Sequence, residues 1–378
     1  MLLPSIEGME DLQHLVRSGE TDWEQYGDVE TKEKDGLILF NYTIGATMAH
    51  RWNWFERNSR GLILNKTTGE VVALPFEKVF NYGEFYESIP QPVFTDVSRV
   101  TEKMDGSLGI LYRPRVRVGG RQYAIATRGA FESDQAKWAT ERLYYKHNML
   151  SAILPEECTL LFEIIYPENR IVIDYGDKKI LVLLAARNRF TGEYYSPAFL
   201  TQIATSYGFE QPNVYNFPSD ARKIAEMVKG WDDNREGVVV EFLDGSRWKF
   251  KAEAYCKVHK LLSRLAFKRI LQAVKDGTID DILPLLPSHI RVAVTDVLDD
   301  ITEIFQKTRR HVVEIFSQRP LMEMTRKEFA LWAVVNHKEI AHYLFRLYDD
   351  QSLDKDIFSH EFHHYKGRLA LPESLDLD

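Results

Sequence analysis

Up to about residue 255 the chain alternates short apolar runs with polar turn residues, which is the texture of strands and hairpins. Residues 37–42 (Leu-Ile-Leu-Phe-Asn-Tyr), 61–64 and 71–74 read as strands, and Thr67-Thr68-Gly69-Glu70 supplies the polar link of a hairpin between the last two. Further strands are expected over 108–112, 123–127, 160–166, 171–175, 180–186, 237–242 and 247–251. The Asp244-Gly245 step turns the chain between the final pair. Helical spacing predicts helices over 133–146, 197–207 and 219–229.

Beyond about residue 256 strand signals cease. Val294, Val297, Leu298, Ile301, Ile304 and Phe305 recur at helical spacing, with Asp296, Asp299, Asp300 and Glu303 between them. Thr325-Arg326-Lys327-Glu328 carries the capping-box pattern of a helix start, and Phe329, Trp332, Ala333 and His337 follow on one face. The expected fold is therefore α+β: an antiparallel-sheet-rich domain over 1–255, then a smaller all-α domain over 256–378. No apolar run approaches the roughly 18 residues of a membrane span, and the first residues do not read as a secretory signal.

Composition narrows the function classes. The 378 residues include 48 Lys+Arg and 56 Asp+Glu, a formal charge of −8, which argues against a generic nucleic-acid coat but leaves room for a local basic groove. Two cysteines, Cys158 and Cys256, support neither a disulfide framework nor a four-cysteine zinc site. They read as reduced core thiols of an intracellular protein, so a cytoplasmic location is expected.

Candidate chemistry gathers in five segments. Glu102-Lys103-Met104-Asp105-Gly106-Ser107 presents a lysine at the end of a strand, on a tight turn whose glycine permits close backbone approach to a ligand. Ser59-Arg60-Gly61 opens a strand upstream. Glu163 lies inside an apolar strand, and Glu236 stands at the entry of another. In Trp248-Lys249-Phe250-Lys251, strand alternation puts two ammonium groups on one face and two rings on the other. Each segment alone has a bland reading as a half-exposed strand. Their ordered combination is what carries information.

The five segments resemble motifs I, Ia, III, IV and V of the covalent nucleotidyltransferases, the ATP-dependent nucleic-acid ligases and capping enzymes. Within that superfamily the chain most resembles the RNA ligase 1 family of the bacteriophage T4 type. The likeness extends to Phe40-Asn41-Tyr42, Glu77-Lys78-Val79-Phe80-Asn81, Arg128-Gly129, Asn169-Arg170-Ile171-Val172 and Thr191-Gly192-Glu193-Tyr194. It implies an ATP-dependent RNA ligase in which Lys103 attacks the α-phosphorus of ATP and carries AMP. It also implies that Glu163 contacts the ribose and that Glu236 binds a catalytic metal, Mg²⁺ or Mn²⁺ in its place. Lys249 and Lys251 would contact phosphates, as catalytic groups beside Lys103, and Arg60 the ribose or phosphate region. Lys78, Arg128 and Tyr42 match basic and aromatic positions of the family's nucleotide pocket, with Arg128 standing where lysine is associated with the phage enzyme. The partners implied are single-stranded RNA ends, with broken tRNA among them, and a monomeric enzyme.

The chemistry sets its own requirement. A lysine with an ordinary pKa of about 10.4 is protonated at neutral pH and is a poor nucleophile, so Lys103 needs neighbouring positive charge or desolvation. Rival readings are a DNA ligase, a capping-type nucleotidyltransferase or a catalytically silent nucleic-acid-binding module. The first two normally continue after motif V into a small β-barrel, whereas this chain turns helical. His360-Glu361-Phe362-His363-His364 has the letter pattern of the zinc motif His-Glu-x-x-His, and it reads here as a solvated helix end.

Overall fold

The computed structural model describes residues 5–49, 52–86, 88–116, 122–146, 154–262, 288–318 and 324–349, with Val274, Ile279, Gln351, Leu353 and Ile357. The chain divides into two compact units, Met1–Lys260 and Leu261–Leu371.

Three four-stranded sheets build the first unit. The first runs β1 (Val29–Lys34), β2 (Leu37–Tyr42), β3 (Arg60–Asn65) and β4 (Val71–Ala73) in chain order. A second contains β5 (Phe80–Asn81), β6 (Val97–Lys103), β11 (Gly237–Phe242) and β12 (Arg247–Lys251), in the order β5-β12-β11-β6. The third holds β7 (Ser107–Tyr112), β8 (Ala124–Ala126), β9 (Cys158–Ile165) and β10 (Ile180–Asn188), in the order β10-β9-β7-β8. Every pairing is antiparallel except that of β5 with β12.

Packing explains the apolar runs. In β2, Leu37 and Leu39 meet Ile110, Leu161 and Ala185 of the third sheet, so the first and third sheets lie face to face. Ile38 and Phe40 point the other way, onto Leu12 and Val16 of α1 (Met9–Ser18) and Phe55. A strand buried on both faces has no polar alternation to show, and every residue of β2 is buried. Two short helices, α2 (Ile44–Ala49) and α3 (Trp54–Asn58), connect β2 to β3. The outer face of the third sheet is covered by α4 (Asp134–Lys146) and α5 (Pro197–Tyr207) through Leu143, Leu200 and Ile203. One face of the second sheet packs Val100, Val238, Val240, Trp248 and Phe250 against Ile224 and Val228 of α6 (Ala221–Lys229). The alternation read from 248–251 is therefore real: rings inward, lysines on the opposite face. The unit then enters α7 (Glu253–Leu262) directly after β12.

Two expectations need correction. Residues 171–175 form no strand; their backbone N–H groups at Val172 and Ile173 donate to Asp105 Oδ2 at 2.9 and 2.8 Å, so a side chain takes the place of a neighbouring strand. The cysteines differ in setting. Cys158 is buried and its thiol is pushed up to about 12 by burial, whereas Cys256 is exposed on α7. The sequence pattern also passed over β1, because Val-Glu-Thr-Lys-Glu-Lys is nearly all polar; it is an edge strand, where charge discourages further pairing.

Among its described residues the second unit is helical, with α8 (Ser288–Ser317), α9 (Arg326–Asn336) and α10 (Ala341–Tyr348). Thr325 and Glu328 close the expected capping box at the start of α9. Val312, Phe329, Ala333, Tyr343 and Leu344 form its core, with Phe329 stacked on Tyr348 at 4.4 Å. Residues 360–364 lie outside the described residues. No described helix is long and apolar enough to cross a membrane.

Phe250 tests the second sheet. It is 2% exposed and stacks on Tyr82 at 4.4 Å. Phe250→Ala is expected to cost about 3–5 kcal/mol, read as a lowered midpoint in urea unfolding.

Candidate active site

The register of β11 assembles the site. Gly237 pairs with Lys103 of β6 on one side and with Lys251 of β12 on the other, so the residue before it, Glu236, falls between both lysines. Lys103 Nζ lies 2.5 Å from Glu236 Oε1 and Lys251 Nζ 3.4 Å from the same oxygen. Glu236 is only 3% exposed. A buried carboxylate is tolerated where opposite charge faces it, and here two cations do. Gly237 is required by crowding: at φ +151°, a Cβ there would sit 1.9 Å from the Phe250 carbonyl oxygen. Two residues along, Val239 pairs with Thr101 and with Lys249, which is itself buried. Strand alternation aims Lys103, Lys249 and Lys251 at one face, the floor of a cavity of about 590 Å³.

Lys103 ends a strand of the second sheet, and Ser107 begins a strand of the third. The turn 104–106 therefore carries the chain from one sheet to the other. Gly106 lets that turn press against β9, since a Cβ there would approach the Ile164 carbonyl oxygen to 2.6 Å. Asp105 is the turn's anchor. Buried at 3% exposure, it accepts from Val172, Ile173 and, at 2.8 Å, the Tyr255 hydroxyl of α7, while its own N–H donates to the Tyr175 hydroxyl. Burial and the nearby Glu236 charge push the Asp105 carboxyl up to about 6, against the pull of those three hydrogen bonds.

Glu163 lies on β9 opposite Leu108 of β7, half-buried in the cavity wall. Burial pushes its carboxyl up to about 8; Lys103 and Arg60 oppose that shift, and Glu236 and Asp105 add to it. Three carboxyls thus gather at the turn after Lys103, and burial favours the protonated forms of Asp105 and Glu163.

The remaining expected residues fall in two layers. Arg60 and Arg128 line the cavity with Lys103, Glu163, Glu236, Lys249 and Lys251. Tyr42 and Lys78 are not part of that lining. Tyr42 is buried behind it, where its hydroxyl accepts from Arg128 Nη1 at 3.1 Å and Lys78 Nζ at 3.4 Å, and both cations lie over its ring at 5.1 and 5.2 Å. Tyr42 thereby holds Arg128, and Lys78 donates to the same hydroxyl.

Sequence reasoning missed several lining residues. Asp105 and Tyr255 are joined by a hydrogen bond across 150 positions, with no local signal. Arg247 precedes Lys249 by two residues on the same strand face, and that spacing was available to be read. His259 follows Tyr255 by one helical turn and stacks on it at 5.8 Å.

The residues fit a divalent cation of one kind. Among the described residues no cluster of three or more His, Cys, Asp or Glu is placed to hold a metal. Glu236 Oε2, however, is buried and has no hydrogen-bond partner among the described residues. One carboxylate oxygen beside a floor of three lysines suits a hard cation whose other ligands are oxygens of a bound anion and water.

The chain is similar to known RNA ligases. A family model described as RNA ligase, of the T4 RNA ligase 1 type, matches residues 58–258. A protein of Autographa californica nuclear polyhedrosis virus, named "Putative bifunctional polynucleotide kinase/RNA ligase", is 28% identical over 296 residues, covering 71% of this chain and 41% of its own. The chain thus spans about two fifths of that relative's length. An RNA ligase of Rhodothermus phage RM378 is 20% identical, covering 79% of this chain and 82% of its own. Among solved structures, a variant of Naegleria gruberi RNA ligase with ATP and Mn matches 48% of this chain and 61% of that one, at 19% identity and a TM-score of 0.36.

The acid cluster sets a pH dependence. A carboxyl whose pKa is raised on folding holds its proton in the native state after the unfolded chain has lost it. Its stabilising contribution is complete below the ordinary carboxylate range and is lost as pH rises to the folded value, about 6 for Asp105 and about 8 for Glu163. The melting temperature of the ligand-free protein should fall from pH 5 to pH 8, and Glu163→Gln should flatten that fall. A parallel fall in the variant would exclude Glu163 as its source.

Proposed function

The chain belongs to the RNA ligase family of the T4 RNA ligase 1 type, and from that premise we propose that it is an ATP-dependent ligase joining 5′-phosphate and 3′-hydroxyl ends of single-stranded RNA. The observation that carries this reading is the pair of lysines sharing the Glu236 carboxylate on the cavity floor. A binding module has no need of a lysine at the end of a strand, packed against a second lysine and a buried acid. After β12 the described residues contain helices and no strand, which supports an RNA ligase over enzymes that append a β-barrel.

In the first step Lys103 Nζ attacks the α-phosphorus of ATP; a phosphorus–nitrogen bond forms, the bond to the bridging oxygen breaks and pyrophosphate leaves. Attack needs the neutral amine. In the ligand-free protein Glu236 stabilises the ammonium form through the 2.5 Å ion pair, while Lys251 and Lys249 oppose it. Glu236 would hold Mg²⁺ or Mn²⁺, which when bound supplies positive charge toward the phosphates and withdraws the carboxylate's support from the ammonium. Lys249, Lys251, Arg60 and Arg128 offer fixed donors to the charge that develops on the phosphoryl oxygens. Glu163, on the opposite wall, takes the ribose. An oxygen of the RNA 5′-phosphate then displaces the lysine from the α-phosphorus, and the 3′-hydroxyl of the second end displaces AMP. Residues 1–255 carry out this chemistry, and residues 256–378 select the RNA, with broken tRNA as a natural substrate class.

Lys103→Ala should retain no label from α-labelled ATP yet still seal some chemically pre-adenylylated RNA, since the last step does not use the amine. Label held covalently by the variant would remove Lys103 from its role. Glu236→Ala should slow adenylylation more at low Mg²⁺ than at high, by about tenfold or more at the low end. Equal loss across the titration would contradict metal binding by Glu236.

A further inference from the structure

The face of the second sheet that floors the cavity is a lattice of three rows. Lys103, Gly237 and Lys251 make the first; Thr101, Val239 and Lys249 the second; Arg99, Glu241 and Arg247 the third. Adjacent rows are two residues apart, about 6.7 Å, so the first and third are separated by about 13 Å. Both ends of the lattice set an acid beside a cation of β6 and a cation of β12. At the first row the acid is Glu236, the residue just before β11, beside Lys103 and Lys251. At the third it is Glu241, whose Oε1 lies 3.2 Å from Arg247 Nη2.

The third row is a built site. Arg247 is 13% exposed along its side chain, and its guanidinium carbon lies 3.6 Å from the centroid of the Tyr194 ring. Tyr194 is fixed in turn: the buried Arg187 lies over its ring at 5.0 Å and donates to the carbonyls of Gly192 and Pro75, and Phe76 stacks on Tyr194 at 5.9 Å. Glu241, Arg247 and Tyr194 all line the cavity. Between the end rows the floor is Val239, Thr101 and the stem of Lys249, and Leu184, Leu200 and Pro212 add apolar lining. That middle space suits a flat ring, and the third row lies where the ring's outer edge would fall if its phosphate stood at Lys103.

We propose that Glu241 and Arg247 read the Hoogsteen edge of the adenine of ATP, Glu241 accepting from the N6 amino group and Arg247 donating to N7. The assignment rests on the reading of the cavity as an ATP site and deepens it. Adenine presents a donor beside an acceptor on that edge, matching a carboxylate beside a guanidinium. Guanine presents two acceptors, N7 and O6, so its O6 would face the Glu241 carboxylate with no hydrogen between them. The pair therefore selects ATP over GTP. Tyr194 contributes by fixing the plane of the guanidinium, so that little freedom is lost when the base arrives.

The test is covalent label transfer to the protein from α-labelled nucleotides. The wild type should use purine riboside triphosphate, which lacks the amino group, and 7-deaza-ATP, which lacks N7, about tenfold or more less efficiently than ATP. In Glu241→Gln the amide can turn its NH₂ toward O6, so the ratio of GTP to ATP labelling should rise at least about tenfold. Wild-type use of both analogues as readily as ATP would overturn the assignment, independently of how any variant folds. Equal loss with ATP and GTP in Glu241→Gln would overturn it too. A wild type labelled by no nucleotide would overturn the ligase reading along with it.

Discussion

One residue in a central strand, Gly237, is flanked by lysines from both neighbouring strands, and the chemistry of the molecule depends on that register. Pleating makes it unforgiving. A slip of one position along β11 would bring Val238, now buried against α6, to the cavity face and withdraw Glu236 from both ammonium groups. The hydrophobic face is what prevents the slip. Val238, Val240 and Phe242 are all buried, so the register that satisfies the core is also the one that sets the ion pairs. The alternation that buries Val238 and Val240 also turns Lys103, Lys249 and Lys251 to the cavity.

The charge balance follows from this arrangement. Three acids, Asp105, Glu163 and Glu236, gather around Lys103, and burial penalises the ionised forms of Asp105 and Glu163. Lysines and arginines contributed from other strands and loops offset part of that penalty. The cavity is thus suited to a polyanion with cations of its own, and it carries its acids at some expense when it contains only water. Arg128 shows how the surrounding protein supports it: the buried Tyr42 accepts from its guanidinium and so fixes the direction of a cation that lines the cavity.

Much of this was legible from sequence because strand alternation is a local property. Trp248-Lys249-Phe250-Lys251 states its two faces within four residues, and Glu163 and Glu236 were visible as acids in apolar company. The order of segments and their resemblance to a known family supplied the rest of the site. What stayed hidden was non-local. The stretch 171–175 has strand composition but satisfies its backbone through Asp105, and no window of sequence could show that. Tyr42 and Lys78 matched pocket positions by resemblance, and only the fold distinguishes lining the cavity from backing it. Arg247 was overlooked although it sits in the same alternation as the two lysines, because the reading stopped at the residues the family resemblance named.

The Asp105 hydrogen bonds also bear on how the protein is made. They reach forward to Val172, Ile173 and Tyr255, separations of 67, 68 and 150 residues. A chain leaving the ribosome from its N-terminus presents this aspartate long before its last partner exists. Until α7 arrives, the turn after Lys103 has a carboxyl group without its tyrosine, and closure of that long loop must be met by the surrounding sheets. Completion of the cavity is therefore tied to synthesis of the helix that closes the first unit. A nascent chain completes the turn after Lys103 only near the end of that unit's assembly, when the last of the Asp105 partners is in place.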